Sequence, residues 1–312
     1  MKWLIISLLI INTVIARSQS MTIQLYEGTP AAEDEFMYND DGIKLLYNIE
    51  TPTIEVFLPD SVNDNTPAIL ICPGGGYGNL AYDWEGTRIA QWLNTHGIAG
   101  IVLKYRMPKP EKEAFSIERD RPMMDAKRAS ALIHANAGQW NLNPDQIGIM
   151  GFSAGGHLAA YASNVYQESD PPSLSQSESE IDTSKFAFSI LIYPVISMLD
   201  GITNDWTQSN LLGKPDIHNN NQEREPLIDA YSVENRVSDK TPPTFIVHSQ
   251  DDDAVPVQNS LLYYDQLIKY KVPAEMHLFP SGGHGYSLFS NGATEQSWGE
   301  LCINWLKTLP NK

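Results

Sequence analysis

The amino-acid sequence predicts an α/β fold built on a doubly wound, mostly parallel sheet with helices on both faces. From residue 53 onward, short β-branched apolar runs alternate with segments of helical periodicity. The apolar runs are nearly continuous, which is typical of parallel strands that are buried on both faces. The 312 residues are 42% hydrophobic and 19% charged, which is a globular composition.

The elements follow one another in order between turn residues. Five segments with helical periodicity are expected at 84–95, 123–138, 154–165, 257–270 and 295–307. Seven β-branched runs predict strands at 53–58 (TIEVFL), 68–72 (AILIC), 98–104 (IAGIVLK), 147–150 (IGIM), 186–193 (FAFSILIY), 244–249 (TFIVHS) and 274–279 (AEMHLF).

We expect a single domain over residues 21–312, because neither an internal repeat nor a linker divides this length of chain. The segment 199–242 interrupts the alternation but contains apolar residues such as Trp206 and Tyr231. We expect it to form a small lid-like insertion near the active site, at the carboxyl edge of the sheet.

Residues 1–20 predict a signal peptide. Lys2 precedes an apolar run from Trp3 to Ile11, which is much shorter than the ~20 residues that span a bilayer. Small residues follow, and cleavage is expected after Ser18 or Ser20. No cysteine follows the run, so no lipoprotein anchor is indicated. The mature chain is expected to be secreted or periplasmic, without stable membrane insertion.

Charge and cysteine content exclude several classes of function. The formal net charge of −17, which becomes −19 after loss of the signal peptide, disfavours binding to the phosphates of nucleic acid. Cys72 and Cys302 lie in apolar contexts and are too few for a disulfide framework or a cysteine zinc site. We expect two buried free thiols and no metal.

The segment Gly151-Phe152-Ser153-Ala154-Gly155 carries the strongest chemical signal. This GxSxG element follows the strand at 147–150 and opens a helix, as a nucleophile elbow does. Glycines flank the serine because the turn is too cramped for side chains. We therefore predict that Ser153 is a nucleophile, which requires a base and a group that orients the base.

His284 is the predicted base. It lies in a glycine-rich loop just past the last strand, where an imidazole can approach a neighbouring loop. The other histidines fall in helices, in strands or in an Asn-rich loop: His96, His134, His157, His218, His248 and His277. The orienting acid is expected among Asp251, Asp252 and Asp253, which follow the strand at 244–249. The order serine, acid, histidine is that of the α/β-hydrolases.

The glycine run after the strand at 68–72 predicts an oxyanion hole. Pro73-Gly74-Gly75-Gly76-Tyr77 would allow backbone N–H groups to point at a tetrahedral intermediate. The overlapping pattern at 76–81 also matches a dinucleotide-binding turn, but no acidic residue follows the next strand to bind a ribose. No organic cofactor is expected. Tyr77 and Trp84 could line a sugar-binding surface, although core packing explains them equally well.

The chain resembles the α/β-hydrolases and, among them, the secreted bacterial acetyl-xylan-esterase-like carbohydrate esterases. The resemblance implies that Asp252, three residues before Val255, is the catalytic acid. It also implies that Gly75 and Gly76, with Ala154, supply the oxyanion-hole amides. Pro73 departs from the histidine that often precedes the glycines in related lipases and esterases. The segments that carry the resemblance are 72–77, 97–108, 121–129, 147–160, 210–213, 241–260 and 282–288.

The expected function is hydrolysis of acetyl or other small acyl esters on plant-type polysaccharide or oligosaccharide, through an acyl-enzyme. The size of the acyl group follows from the resemblance alone. A feruloyl esterase or a general carboxylesterase or lipase would use the same residues with a wider pocket. A peptidase of the prolyl-oligopeptidase type would need a large extra domain, and a non-catalytic binding protein would normally lack one of the three polar residues.

Overall fold

The computed structural model describes residues 20–28, 35–110, 116–165, 185–214, 224–290 and 297–310. Residues 1–19 of the predicted signal peptide lie outside the described residues, as do residues 215–223 of the predicted insertion.

An eight-stranded sheet forms the centre of the protein, with the strand order β1-β4-β7-β5-β8-β9-β10-β11. The pairs from β7 to β11 in this order are parallel, whereas β4 is antiparallel to both β1 and β7. The strands of the sheet are β1 (Met21–Gln24), β4 (Thr53–Phe57), β5 (Thr66–Cys72), β7 (Ala99–Lys104), β8 (Leu142–Phe152), β9 (Ser189–Ile192), β10 (Thr244–Ser249) and β11 (Ala274–Phe279).

The central strands are largely buried. Every residue of β9 and β10 is buried, and successive side chains of a strand point to opposite faces, so both faces of the sheet are covered. The helices are α1 (Arg88–Asn94), α2 (Arg121–Asn136), α3 (Ser153–Val165), α4 (Asp205–Leu212), α5 (Arg224–Tyr231), α6 (Gln258–Lys269) and α7 (Trp298–Leu306). A π-helical turn at Asp83–Thr87 precedes α1, and a 3₁₀ turn at Val233–Arg236 follows α5.

The predicted α/β class is confirmed, and all seven predicted strands are present. The largest differences are at β8, which begins five residues before its predicted start, and at β9, which begins three residues after its predicted start. The sequence analysis missed β1 and a second sheet of three strands. That sheet consists of β2 (Glu35–Tyr38), β3 (Lys44–Tyr47) and β6 (Leu80–Ala81). These strands have two to four residues and are partly exposed, so they lack the apolar runs that mark the central strands.

The sheet brings four loops to one edge. β5 and β8 are parallel neighbours, and β10 is parallel to β9 and β11. The carboxyl ends of these strands therefore open on the same edge, where ligands bind in doubly wound folds. Within the described ranges, the helices are too short or too polar to cross a membrane.

Candidate active site

Ser153 lies at the sharp turn between β8 and α3. Its φ of 52° falls in the left-handed region, which a non-glycine residue occupies only when the surrounding structure enforces it. The side chain is 8% exposed, so the hydroxyl is enclosed but not sealed. This geometry is that of a nucleophile elbow.

Close backbone contacts explain the glycines of the elbow. A Cβ on Gly155 would lie 2.1 Å from the carbonyl oxygen of Cys72 and 2.5 Å from that of Pro73. A Cβ on Gly151 would lie 2.1 Å from the carbonyl oxygen of Gly155. The first turn of α3 therefore packs directly on the chain that leaves β5.

The structure brings Ser153, His284 and Asp252 together in a hydrogen-bonded chain. The distance from Ser153 Oγ to His284 Nε2 is 2.9 Å, and that from His284 Nδ1 to Asp252 Oδ2 is 2.6 Å. Because a carboxylate only accepts hydrogen bonds, Nδ1 of His284 carries the hydrogen and donates a hydrogen bond to Asp252. Nε2 of the neutral imidazole is then free to accept the proton of the Ser153 hydroxyl.

Asp252 is held ionised by its hydrogen bonds. Oδ1 accepts from the N–H groups of Ala254, at 3.0 Å, and Val255, at 2.8 Å. Burial alone would raise the pKa of Asp252, but hydrogen bonds from His248 and His284 lower it to about 2. The carboxylate therefore keeps the charge that stabilises a protonated His284.

A second histidine, His248, contacts Asp252 in addition to His284, and the sequence did not predict this contact. His248 Nε2 is 3.3 Å from Asp252 Oδ2 and 2.9 Å from the carbonyl oxygen of Val255, so this nitrogen carries a hydrogen. Nδ1 is 2.8 Å from the hydroxyl of Ser260. A strand-end histidine close in sequence to the acid was the available signal.

Asp251 and Asp253, the two aspartates beside Asp252, are exposed, whereas Asp252 is buried. Asp251 Oδ1 accepts from the N–H of Gly283 at 2.8 Å, which ties the acid loop to the histidine loop.

The loop after β5 has the backbone geometry that an oxyanion hole needs. Gly75 and Gly76 have φ values of 133° and 58°, and Gly74 packs against Ser153, since a Cβ on Gly74 would lie 2.9 Å from that of Ser153. No described residue accepts a hydrogen bond from the N–H groups of Gly75 and Gly76. Ala154 lies in the first turn of α3, where N–H groups lack intrahelical acceptors.

A buried carboxylate, Glu85, supports both this loop and the histidine, and no sequence motif indicated it. Glu85 Oε2 accepts from the N–H of Gly74, and Oε1 accepts from the hydroxyl of Tyr193, both at 2.8 Å. The Tyr193 ring packs edge-on against His284, with the ring centroids 4.9 Å apart. Burial raises the pKa of Glu85, against the opposing effects of Tyr193, His284 and Gly74.

Of the two residues that were considered for sugar binding, Tyr77 is buried and Trp84 is partly buried. Tyr77 is 1% exposed, and its hydroxyl is 2.8 Å from His157 Nδ1, so its ring packs in the core and not at the surface. Trp84 donates its Nε1–H to the carbonyl oxygen of Gly285 at 2.8 Å, and Arg88 lies over its ring. These contacts make Trp84 a support of the histidine loop.

The part of the chain that the structure describes contains no cluster of three or more His, Cys, Asp or Glu residues that could hold a metal ion. Cys72 and Cys302 are buried and unpaired, as expected. A serine hydroxyl, an imidazole with an oriented tautomer and nearby backbone donors form a combination that is chemically suited to acyl transfer.

The sequence matches a family model and is similar to several known proteins. The BD-FAE family model matches residues 54–267. An acetylxylan esterase of Xylanibacter ruminicola is 35% identical over 257 residues, which are 81% of this chain and 48% of the relative. The endo-1,4-beta-xylanase B of Butyrivibrio fibrisolvens is 32% identical over 228 residues, which are 70% of this chain and 32% of the relative. This chain thus spans about half or less of these relatives.

A solved structure is similar over nearly the full length of both chains. The crystal structure of an acetyl ester-xyloside bifunctional hydrolase from Caldicellulosiruptor lactoaceticus has a TM-score of 0.73 and 33% sequence identity. The match covers 95% of this chain and 98% of that one.

Proposed function

Because the chain belongs to the BD-FAE family, we propose that it is a serine esterase that removes acetyl or other small acyl groups from plant-type polysaccharide such as xylan. The observation that carries the proposal is the hydrogen-bonded chain from Ser153 through His284 to Asp252. These three hydrogen-bonded side chains lie beside the loop after β5, whose N–H groups at Gly75 and Gly76 are available to an oxyanion. The family and the fold support acyl transfer as the reaction that these three side chains carry out.

The first half of the reaction forms an acyl-enzyme. Ser153 Oγ attacks the ester carbonyl carbon while His284 Nε2 takes the hydroxyl proton. The carbonyl oxygen becomes negative, and the N–H groups of Gly75, Gly76 and Ala154 stabilise it. His284 then donates the proton to the departing sugar oxygen, and the bond between that oxygen and the acyl carbon breaks.

The second half releases the acid. A water molecule gives its proton to His284 Nε2 and attacks the acyl carbon, so the oxyanion forms again. Collapse breaks the bond to Ser153 Oγ, which recovers its proton from His284. Whenever His284 holds the extra proton, the negative charge of Asp252 stabilises the imidazolium, and the lowered pKa of Asp252 keeps that carboxylate ionised.

The names of the similar proteins support a carbohydrate substrate. They include an acetylxylan esterase, a xylanase and an acetyl ester-xyloside hydrolase. Because this chain spans about half or less of the first two, the substrate of this protein is part of the proposal. Export belongs to the proposal as well, since a polysaccharide substrate lies outside the cell. The exported chain is expected to begin at Gln19 or Met21 on N-terminal sequencing, and an intracellular chain retaining Met1 would argue against export.

The test is acetate release from acetylated xylan, set beside synthetic esters. We expect acetate release from the polysaccharide. We also expect kcat/KM to fall at least about tenfold from p-nitrophenyl acetate to the octanoate, because a small acyl pocket excludes long chains. An enzyme that releases no acetate from xylan, or that prefers long acyl chains or methyl ferulate, would contradict the proposal and favour a carboxylesterase or a feruloyl esterase.

A further inference from the structure

Trp206 is a large aromatic side chain that remains 51% exposed beside the candidate active site. It lies in the first turn of α4, within the segment 199–242, and no motif of the sequence points to it. No described residue accepts a hydrogen bond from its Nε1–H. Single exposed apolar side chains are common on protein surfaces, so the surroundings of this indole decide whether it has a role.

The indole is seated directly on the oxyanion loop. A Cβ on Gly76 would lie 2.2 Å from Cε3 of Trp206, and a Cβ on Gly78 would lie 2.5 Å from its Cζ2. Any side chain at these two positions would displace the six-membered ring of the indole. The two glycines therefore make room for this ring as well as for the loop's own conformation.

The position of Trp206 is fixed from both ends of α4. Asn210 Nδ2 donates to the carbonyl oxygen of Gly76 at 2.8 Å, which holds the helix on the oxyanion loop. Asn204, whose side chain caps the helix by accepting from the N–H of Thr207, donates to the carbonyl oxygen of Ala254 in the acid loop at 2.8 Å. Helix α4, which carries the indole, is therefore tied to both the oxyanion loop and the acid loop.

Trp206 and Ser153 contact the same loop. Gly74 packs against Ser153, and Gly76, two residues further along this loop, packs against Trp206. The Cα atoms of Gly74 and Gly76 are at most about 7 Å apart, because two residues span no more than that. An acylated sugar whose ester carbonyl is at Ser153 and whose ring extends along the oxyanion loop therefore runs toward the indole.

We propose that the exposed indole of Trp206 is the binding surface for the sugar ring that carries the acyl group. This inference rests on the proposed function and adds the residue that selects the carbohydrate side of the ester. An indole presents a rigid apolar surface to the C–H groups of a pyranose ring, and its free N–H can donate to a sugar hydroxyl. The strongly acidic chain disfavours anionic ligands, which suits a neutral glycan.

The test compares two acetyl esters that differ in the alcohol alone. For Trp206→Ala, we expect the ratio of kcat/KM on acetylated xylo-oligosaccharide to kcat/KM on ethyl acetate to fall at least tenfold, mostly through KM. Trp206→Phe should lose less, because it keeps a smaller aromatic surface. Tyr270→Ala, which removes another exposed aromatic at the end of α6, serves as the matched control and should leave the ratio unchanged.

Two results would overturn the inference. Equal losses on both esters, which leave the ratio unchanged, would make Trp206 a structural prop of the oxyanion loop. Full activity on both esters would remove it from the sugar site. Calorimetric binding of unacetylated xylohexaose to Ser153→Ala, with and without Trp206→Ala, separates this inference from the proposed function. If the wild-type protein releases no acetate but the binding of xylohexaose depends on Trp206, the inference stands and the proposed function does not. Acetate release with binding independent of Trp206 would sustain the function alone.

Discussion

At the scale of single residues, Asp252 differs from its neighbours Asp251 and Asp253 in what its oxygens touch. Its Oδ1 is occupied by two backbone N–H groups, and its Oδ2 faces His284 and His248. The sequence pattern alone left three candidates open, and only the resemblance to esterases selected Asp252. The structure gives the physical reason, because Asp252 alone of the three is buried within reach of the imidazole.

Asp252→Asn should lower kcat about 10⁴-fold, with little change in KM. The N–H groups of Ala254 and Val255 require an oxygen at the Oδ1 position, so the new NH₂ would face His284 Nδ1. His284 would then carry its hydrogen on Nε2, where it cannot accept the serine proton. Kinetics on p-nitrophenyl acetate measure the effect.

Asp253→Asn is the matched control for this substitution, because it makes the same chemical change at the adjacent exposed side chain. We expect its kcat to stay within about twofold of the wild type, as is usual for a surface change away from the site. Equal losses in the two variants would show that charge in the loop, and not the orientation of His284, determines the rate.

Glu85 should make stability depend on pH in a specific direction. Burial raises the pKa of Glu85 above its ordinary value of 4.5. As the pH rises past 4.5, the unfolded chain loses this proton before the folded chain does, which favours unfolding. The free energy of unfolding of the wild type, relative to that of Glu85→Gln, should therefore fall with rising pH until the folded carboxyl has also ionised.

Urea denaturation of both proteins from pH 4 to pH 8 tests this expectation, because contributions from other titrating groups cancel in the difference. A gap that is constant across this range would mean that Glu85 has the same pKa in the folded and unfolded chains.

At the scale of elements, sequence patterns found the central strands as well as β4 and β11, but missed β1 and the second sheet. β9 and β10 are buried at every residue, and each has an uninterrupted apolar stretch of three residues in its sequence. β1 pairs only with β4, at the margin of the sheet, and its residues are mostly exposed, so periodicity could not reveal it. Helix α4 has no clear apolar face, and the contacts of Trp206 and Asn210 with the oxyanion loop join residues more than 120 positions apart.

The elbow glycines give the sharpest prediction for an element. Gly155→Ala should lower the free energy of unfolding by at least about 2 kcal/mol, because the added Cβ meets the carbonyl oxygens of Cys72 and Pro73, which are backbone atoms that cannot rotate away. Urea midpoints measure the change. Gly138→Ala is the control, since nothing lies within 4 Å of a Cβ there and no positive φ opposes it. Its effect should stay within about 1 kcal/mol.

Equal stability of the two alanine variants would contradict the close packing of α3 on the chain leaving β5. A selective loss in Gly155→Ala would show that the elbow and the oxyanion loop are held as one unit.

At the scale of the whole molecule, the fold class and the esterase-like family could be predicted from the sequence, and both are confirmed by the comparisons. Part of this information lies in the motifs that follow the carboxyl ends of β5, β8, β10 and β11 at the same edge of the sheet. The antiparallel margin, the second sheet and the buried support of Glu85 and Tyr193 depend on contacts between distant segments. Such contacts leave no periodic signal in one sequence.

The proposed mechanism of ester hydrolysis requires that Ser153 is the nucleophile. Stoichiometric labelling with diisopropyl fluorophosphate tests this requirement most directly. Serine attack on phosphorus displaces fluoride and leaves a stable adduct that peptide mass spectrometry can locate. We predict one adduct per chain, on Ser153, with esterase activity lost in proportion to labelling and no adduct in Ser153→Ala. A fully labelled chain that still hydrolyses p-nitrophenyl acetate, or inactivation with the adduct on another residue, would contradict the account.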